Sequence, residues 1–291
     1  GSEESLNAVR WAAHEAASRN LPLRTVYAFD ELYATEWRWQ TEYVVATLRE
    51  GAEDIINEAN AVALAEEPQL PTSGEVIIGR HTSVLTKESE RAALMVMGSR
   101  RLGPFRSMLG SVSSSISARA VCPVVVVRGT GDEPTHDQPV VVGVDVAEHG
   151  DRVDPEEYAH HTDHILEFAF DHAARHGLPL RAVTCWRPFP VARGGRSDYG
   201  MGVRAEGLSD RLRRLVGRWP ERYPNVSVEE RVREGRPVDV LVDEASNAGL
   251  LVVGARGHRP ITGMLLGSVS QGVLHHAHCA VAVVHRGPSE V

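Results

Sequence analysis

The sequence predicts two tandem α/β domains, each a doubly wound parallel sheet with helices on both faces. Three observations predict it. The chain repeats itself at an offset of 157 residues. Strand and helix patterns alternate within each copy. In each copy an apolar run leads through a glycine-rich loop to a helix start. A repeat this long is a duplicated domain rather than a solenoid, and such alternation builds a parallel sheet covered on both sides.

The repeat is read directly from the letters. Asn20–Val26 (NLPLRTV) recurs as Gly177–Val183 (GLPLRAV), and Gly110-Ser111-Val112-Ser113 recurs as Gly267-Ser268-Val269-Ser270. Cys122 with Val124–Val127 recurs as Cys279 with Val281–Val284. Leu94–Gly98 matches Leu250–Gly254 at an offset of 156, so the first copy's loop is one residue shorter between Gly98 and Gly110.

Within a copy the elements follow in order. Val9, Ala12, Ala13, Ala16 and Ala17 fall on one helical face, as do Leu166, Ala169, Phe170, Ala173 and Ala174. A strand follows at Leu23–Phe29 and at Leu180–Trp186, then a polar loop and a helix over Glu42–Ala63 or Leu208–Trp219. The next strand is expected at Glu75–Ile78 and Val226–Val232, and the next helix at Ser83–Ala93 and Val238–Ala248. The glycine loop, a last helix and a last strand complete each copy. Gly129–Pro139, polar and without periodicity, reads as a linker. The expected domains are therefore 1–128 and 140–291, joined by 129–139. Val140–Val144 forms the opening strand of the second copy and ends at Asp145. No counterpart precedes Gly1, which falls opposite Tyr158, so the first copy is expected to lack its first strand. Residues 146–157 are extra in the second copy.

Composition bounds the function. With 291 residues, 42% hydrophobic and 24% charged, the chain reads as a soluble pair of domains. No apolar run approaches a membrane span. A net charge of −8 argues against a general nucleic-acid binder. Three widely spaced cysteines, Cys122, Cys185 and Cys279, favour a reducing compartment over a disulfide scaffold or a zinc site. A cytoplasmic location is expected.

The chemistry concentrates in Gly254-Ala255-Arg256-Gly257, followed after nine residues by Gly267-Ser268. Leu250–Val253 before it reads as a buried strand, and Val269–Leu274 after it as a helix with Ser268 near its N-cap. Glycine lets the backbone approach a ligand, and free N–H groups at a helix start favour an anion such as phosphate. In parallel sheets ligands sit beyond the carboxyl ends of the strands, where this loop lies. Ser268 reads as a cap and phosphate donor rather than a nucleophile, since no base is placed beside it. Other clusters have plainer readings. His160 and His164 stand at metal-ligand spacing but read as a solvated helix start. His275, His276, His278 and Cys279 straddle a helix-to-strand junction. Trp37 and Trp39 read as packing against a neighbouring domain.

Gly254-x-x-Gly257-x9-Gly267-Ser268, with Val-Val before it and His-Cys-x-Val-x-Val-Val after it, resembles the universal stress protein family. The likeness extends over nearly all of the chain, as a tandem two-domain member of the ATP-binding branch. It implies Rossmann-like domains of the adenine nucleotide alpha hydrolase type, with five parallel strands each and the first strand central. It also implies that the glycine motif holds phosphates and ribose, that an aspartate ending the first strand orients the nucleotide, and that the second strand lies against adenine. Carried onto this chain, these roles fall on Asp145, Val183 or Cys185, Gly254, Gly257, Gly267, Ser268 and Val269. In the first copy Gly98, Gly110, Ser111 and Val112 remain, but Arg101 stands where the second glycine belongs, leaving at most a weak, charge-assisted site.

The resemblance implies ATP, with or without Mg, as the ligand, and a stress or dormancy regulator that works through nucleotide-dependent conformation or association rather than catalysis. Domain-to-domain or homodimer pairing through the last strands is the expected partnership. Two alternatives stay open: an enzyme hydrolysing the nucleotide or transferring its adenylyl group, and a nucleotide-free dimerisation module. Neither glycine loop contains a lysine and no Gly-x4-Gly-Lys-Ser/Thr loop is present, which counts against the enzyme.

Overall fold

In a computed structural model, residues 1–30, 41–99, 110–128, 138–146, 155–187, 198–256 and 266–285 are described, with the backbone alone at 41–46, 155–158 and 198–206. The chain divides into two compact units, Gly1–Pro134 and Thr135–Val291.

The first unit opens on helix α1 (Glu3–Arg19). Ser2 and Ser5 cap it reciprocally: the Ser5 amide donates to Ser2 Oγ at 3.3 Å and the Ser2 amide to Ser5 Oγ at 3.0 Å. Asn20, at φ 54°, ends it in the left-handed region. The repeated Leu-Pro-Leu-Arg segment then starts β1 (Leu23–Phe29), and α2 (Thr41–Glu66) leads to β2 (Thr72–Ile78). β1 and β2 pair in parallel from Leu23↔Thr72 to Phe29↔Ile78. After α3 (His81–Ser89) come β3 (Met95–Gly98), α4 (Ser111–Arg119) and β4 (Val124–Val127), with β3 and β4 also parallel. Among the described residues β1–β2 and β3–β4 are not bonded to one another. Ala13, Ala63 and Leu70 form a small core with Val9, Ala16, Ala17 and Leu23 around it.

The second unit is complete. Its elements are β5 (Val140–Gly143), α5 (Pro155–His176), β6 (Leu180–Trp186), α6 (Asp198–Val216), β7 (Val228–Glu234), α7 (Pro237–Glu244), β8 (Leu250–Gly254), α8 (Ser268–His276) and β9 (Ala280–Val284). The strands run parallel in the order β9-β8-β5-β6-β7, with the opening strand β5 in the centre. Val140, Val141 and Val142 of β5 and Leu251 and Val252 of β8 are wholly buried, as continuous apolar runs in a two-faced sheet require. Helix α5 packs on β5 and β8, α6 on β6 and β7, and α7 on β6 and β5. Phe170 stacks on Trp219 and Tyr223, each pair of centroids 5.7 Å apart, closing the base of α5.

Element types follow the sequence reading; some boundaries do not. β7 runs to Glu234 rather than stopping at Val232, because its Arg233 and Glu234 pair with Cys185 and Trp186 of β6. The strand is set by backbone ladders, which an alternation of charges does not reveal. Helix α6 begins ten residues before the expected Leu208, since Gly200, Gly202 and Gly207 mask its periodicity. Helix α7 ends at Glu244, before the polar Ser246-Asn247. Trp37 and Trp39, residues 129–137 of the linker and residues 147–154 of the extra segment lie outside the described residues.

Candidate functional site

The carboxyl ends of β5, β6 and β8 and the start of α8 converge in the second unit. β5 pairs with β6 in the register Gly143↔Val183, and the Val144 amide donates to the Val183 carbonyl at 2.8 Å. That register sets Asp145, exposed, level with Cys185, half-buried. Burial pushes the Cys185 thiol up to about 11, and the negative charges of Asp145 and Glu244 push the same way against the pull of Arg233. Val183 is 1% exposed, inside the sheet rather than at its rim.

The glycine loop is pinned at both ends by backbone chemistry. The Ala255 amide donates to Val284 of β9 at 2.7 Å, and the Gly267 amide donates to the Ala255 carbonyl at 2.8 Å, so the end of β8 and the start of α8 are joined directly. Gly267 is the N-cap of α8 and gives its first turn no side-chain cap. The amides there, with the exposed Ser268 and half-buried Val269 beside them, form an electropositive helix start. That donor set suits a phosphate, and the exposed Asp145 carboxylate across the strand ends suits the hydroxyl or amino groups of a nucleoside. Gly257 lies outside the described residues.

Two side chains that sequence reading did not single out stand at this loop. Ser270 Oγ, with its residue 3% exposed, donates to the Gly254 carbonyl at 2.5 Å. His161 of α5, 5% exposed, places Nε2 3.2 Å from the Arg256 carbonyl. A Cβ on Gly254 would lie 2.8 Å from that Nε2 and 2.6 Å from Ile165 Cδ1, so Gly254 is glycine because α5 packs into its place. Ser270 recurs as Ser113, a signal visible in the repeat. His161 lies four residues before the buried Ile165, on the apolar stripe of α5, and that spacing could have separated it from the exposed His160 and His164.

In the first unit Gly98 ends β3, and Gly110 caps α4 without a side-chain hydrogen bond. Ser111 is exposed and Val112 half-buried. Ser113 Oγ reaches the Gly98 carbonyl only at 3.4 Å. A Cβ on Gly98 would meet backbone instead of side chains: Glu4 O at 2.4 Å and Glu4 C at 2.8 Å. Helix α1 thus lies a side chain's depth closer to its glycine than α5 does. Arg101 lies outside the described residues.

On the rim behind the site, Glu244 is 5% exposed and surrounded by guanidinium groups. Arg231 Nη1 and Arg233 Nε each stand 3.1 Å from its carboxylate, and Arg181 Nη1 donates to its carbonyl at 3.0 Å. Glu229, bonded by Arg231 and Arg181, is held below the usual carboxylate range by those hydrogen bonds.

Comparison with known proteins agrees with this architecture. The sequence profile of the Universal stress protein family matches residues 1–128 and 158–285. A universal stress protein of Mycobacterium tuberculosis is 37% identical over 98% of this chain and 95% of its own length. One of Mycolicibacterium smegmatis is 34% identical over 97% and 94%. Among solved structures, a universal stress protein from Archaeoglobus fulgidus superposes with a TM-score of 0.68 at 19% identity, covering 99% of this chain and 94% of that one, a likeness of fold alone.

Proposed function

Because the chain belongs to the universal stress protein family, we propose that it is an ATP-binding stress or dormancy regulator whose second unit holds the nucleotide. One observation carries the reading: in the second unit a helix start without a side-chain cap, bonded through Gly267 to the end of β8, meets an exposed aspartate at the carboxyl ends of adjacent parallel strands. In this reading the α8 amides, Gly257, Gly267, Ser268 and Val269 receive the phosphates, Asp145 orients the nucleoside, and Cys185 with Val183 beneath it forms the floor on the adenine side. Gly254 serves by admitting α5. ATP would supply binding energy and charge, with or without Mg, and its differential affinity for loop conformations would bias association with a partner. No dedicated catalysis is proposed, since the loops lack the lysine of a phosphate-transferring loop.

The first unit is the poorer site. Arg101 replaces a motif glycine, and the backbone of α1 fills the place beside Gly98. We assign self-association, between domains or with a second copy, to the apolar last strands β4 and β9. No helix among the described residues is long and apolar enough to cross a membrane. The acidic balance argues against nucleic acid as a ligand, and a cytoplasmic protein fits three cysteines that form no disulfide.

The test is the nucleotide content of the purified protein after acid release, beside a Gly257→Asp variant. Stoichiometric ATP that disappears in the variant supports the reading. No nucleotide, and no binding when ATP is added back, overturns it in favour of a nucleotide-free association module. Steady production of ADP or AMP at many turnovers per minute would instead reveal an enzyme.

A further inference from the structure

Three consecutive carbonyls leave β8 towards the glycine loop, and each has a donor. The Gly254 carbonyl accepts from Ser270 Oγ at 2.5 Å, the Ala255 carbonyl from the Gly267 amide at 2.8 Å, and the Arg256 carbonyl from His161 Nε2 at 3.2 Å. The first two donors belong to the loop's own far end, so they close the loop on itself. The third comes from α5, ninety-five residues away in sequence.

We propose that His161 is a positioning residue of the nucleotide site: it latches the start of the glycine loop to α5 and makes the two move together. A carbonyl only accepts, so Nε2 carries the proton and the imidazole donates. The ring is held for this task by burial and by the missing side chain of Gly254, which leaves room for it and for Ile165. At the corresponding place in the first unit stands Glu4, whose backbone rather than side chain lies against Gly98. A ligand that displaces Arg256 therefore acts on α5 through a hydrogen bond in the second unit, and α5 leads from the sequence that follows Asp145. This inference rests on the proposed nucleotide site for its purpose, but the latch itself exists without ligand.

Two substitutions separate the donor from its bulk. His161→Leu keeps an apolar side chain in the space and removes the donor, and His161→Gln restores an N–H at about the position of Nε2. Amide hydrogen exchange is read at Gly267 and along α5 in the nucleotide-free full chain, and ATP affinity is read by calorimetry. Loss of one buried hydrogen bond predicts faster exchange at Gly267 and weaker affinity, each by about fivefold, in His161→Leu, with both restored in His161→Gln. Wild-type exchange and affinity in His161→Leu would overturn the proposal. So would a defect that His161→Gln fails to restore, because packing and not donation would then be responsible. If the wild-type protein binds no adenine nucleotide, the nucleotide reading fails, and exchange at Gly267 alone decides whether the latch stands.

Discussion

Removing one oxygen from each copy tests how the two glycine loops are held. Ser270 and Ser113 occupy equivalent places in the repeat, are both buried, and point their hydroxyls at equivalent carbonyls. Their geometry differs: 2.5 Å to Gly254 in the second unit against 3.4 Å to Gly98 in the first. Ser→Ala leaves almost no cavity, so the cost is that of the hydrogen bond and of a carbonyl deprived of its donor. At Ser270 the bond is short and enclosed, and its loss costs about 2 kcal/mol. At Ser113 the separation exceeds the usual O–H···O range, and the loss costs roughly 0.5 kcal/mol or less. With a urea slope of about 2 kcal/mol/M, Ser270→Ala lowers the second unit's midpoint by about 1 M and Ser113→Ala lowers the first unit's by about 0.25 M or less. Pulsed hydrogen exchange through a urea series, followed in peptides from β3 and β8, reads the two units separately within one chain. Equal shifts in the two units, or a shift below 0.2 M for Ser270→Ala, would refute the reasoning that the β8 carbonyl is clamped from α8.

Three further outcomes follow from the packing and the charges. Gly98→Ala drives a Cβ into the backbone of α1, which cannot rotate aside, whereas Gly254→Ala meets the tips of Ile165 and His161. Thermal unfolding should show a loss of about 3 kcal/mol for the first and about 1 kcal/mol for the second; the reverse order would be inconsistent with these contacts. Cys122 and Cys185 both have thiols pushed up to about 11. The fold therefore favours their neutral forms, and stability should be full below the ordinary 9.0 and fall as pH rises towards about 11. Iodoacetamide at pH 8 should label both slowly, and Asp145→Asn should quicken Cys185 alone by lifting a nearby negative charge. Glu244→Ala leaves Arg181, Arg231 and Arg233 facing one another without their shared carboxylate; chemical denaturation should record a loss of about 2 kcal/mol, discounted for the partial exposure of the arginines.

The parts of this protein legible in its sequence are those built from period and repetition. Leu250–Val253 and Val140–Val142 read as buried strands because a parallel sheet demands unbroken apolar runs, and the copy-to-copy match carried helix and strand types where one copy alone was ambiguous. What escaped notice depends on the third dimension. His161 sits among polar letters, His160-His161-Thr162-Asp163-His164, and only the turn of α5 separates the buried ring from its exposed neighbours. Gly254 read as a glycine kept open for a ligand, whereas α5 takes up the space at its Cα; the letter records that something is close but not which side it comes from. The full extents of β7 and α6 were hidden for opposite reasons, one by a strand whose pairing is independent of its charged side chains, the other by glycines inside a helix.

Strand β7 has a consequence for assembly. It stands at one end of the second unit's strand order, and Glu229, Glu230, Arg231, Arg233 and Glu234 occupy five of its seven positions. A chain adding itself there would have to strip water from those charges and disturb the cluster around Glu244. Addition of a further strand along β7 is thereby disfavoured, and its five charged positions act as a stop on that side of the sheet.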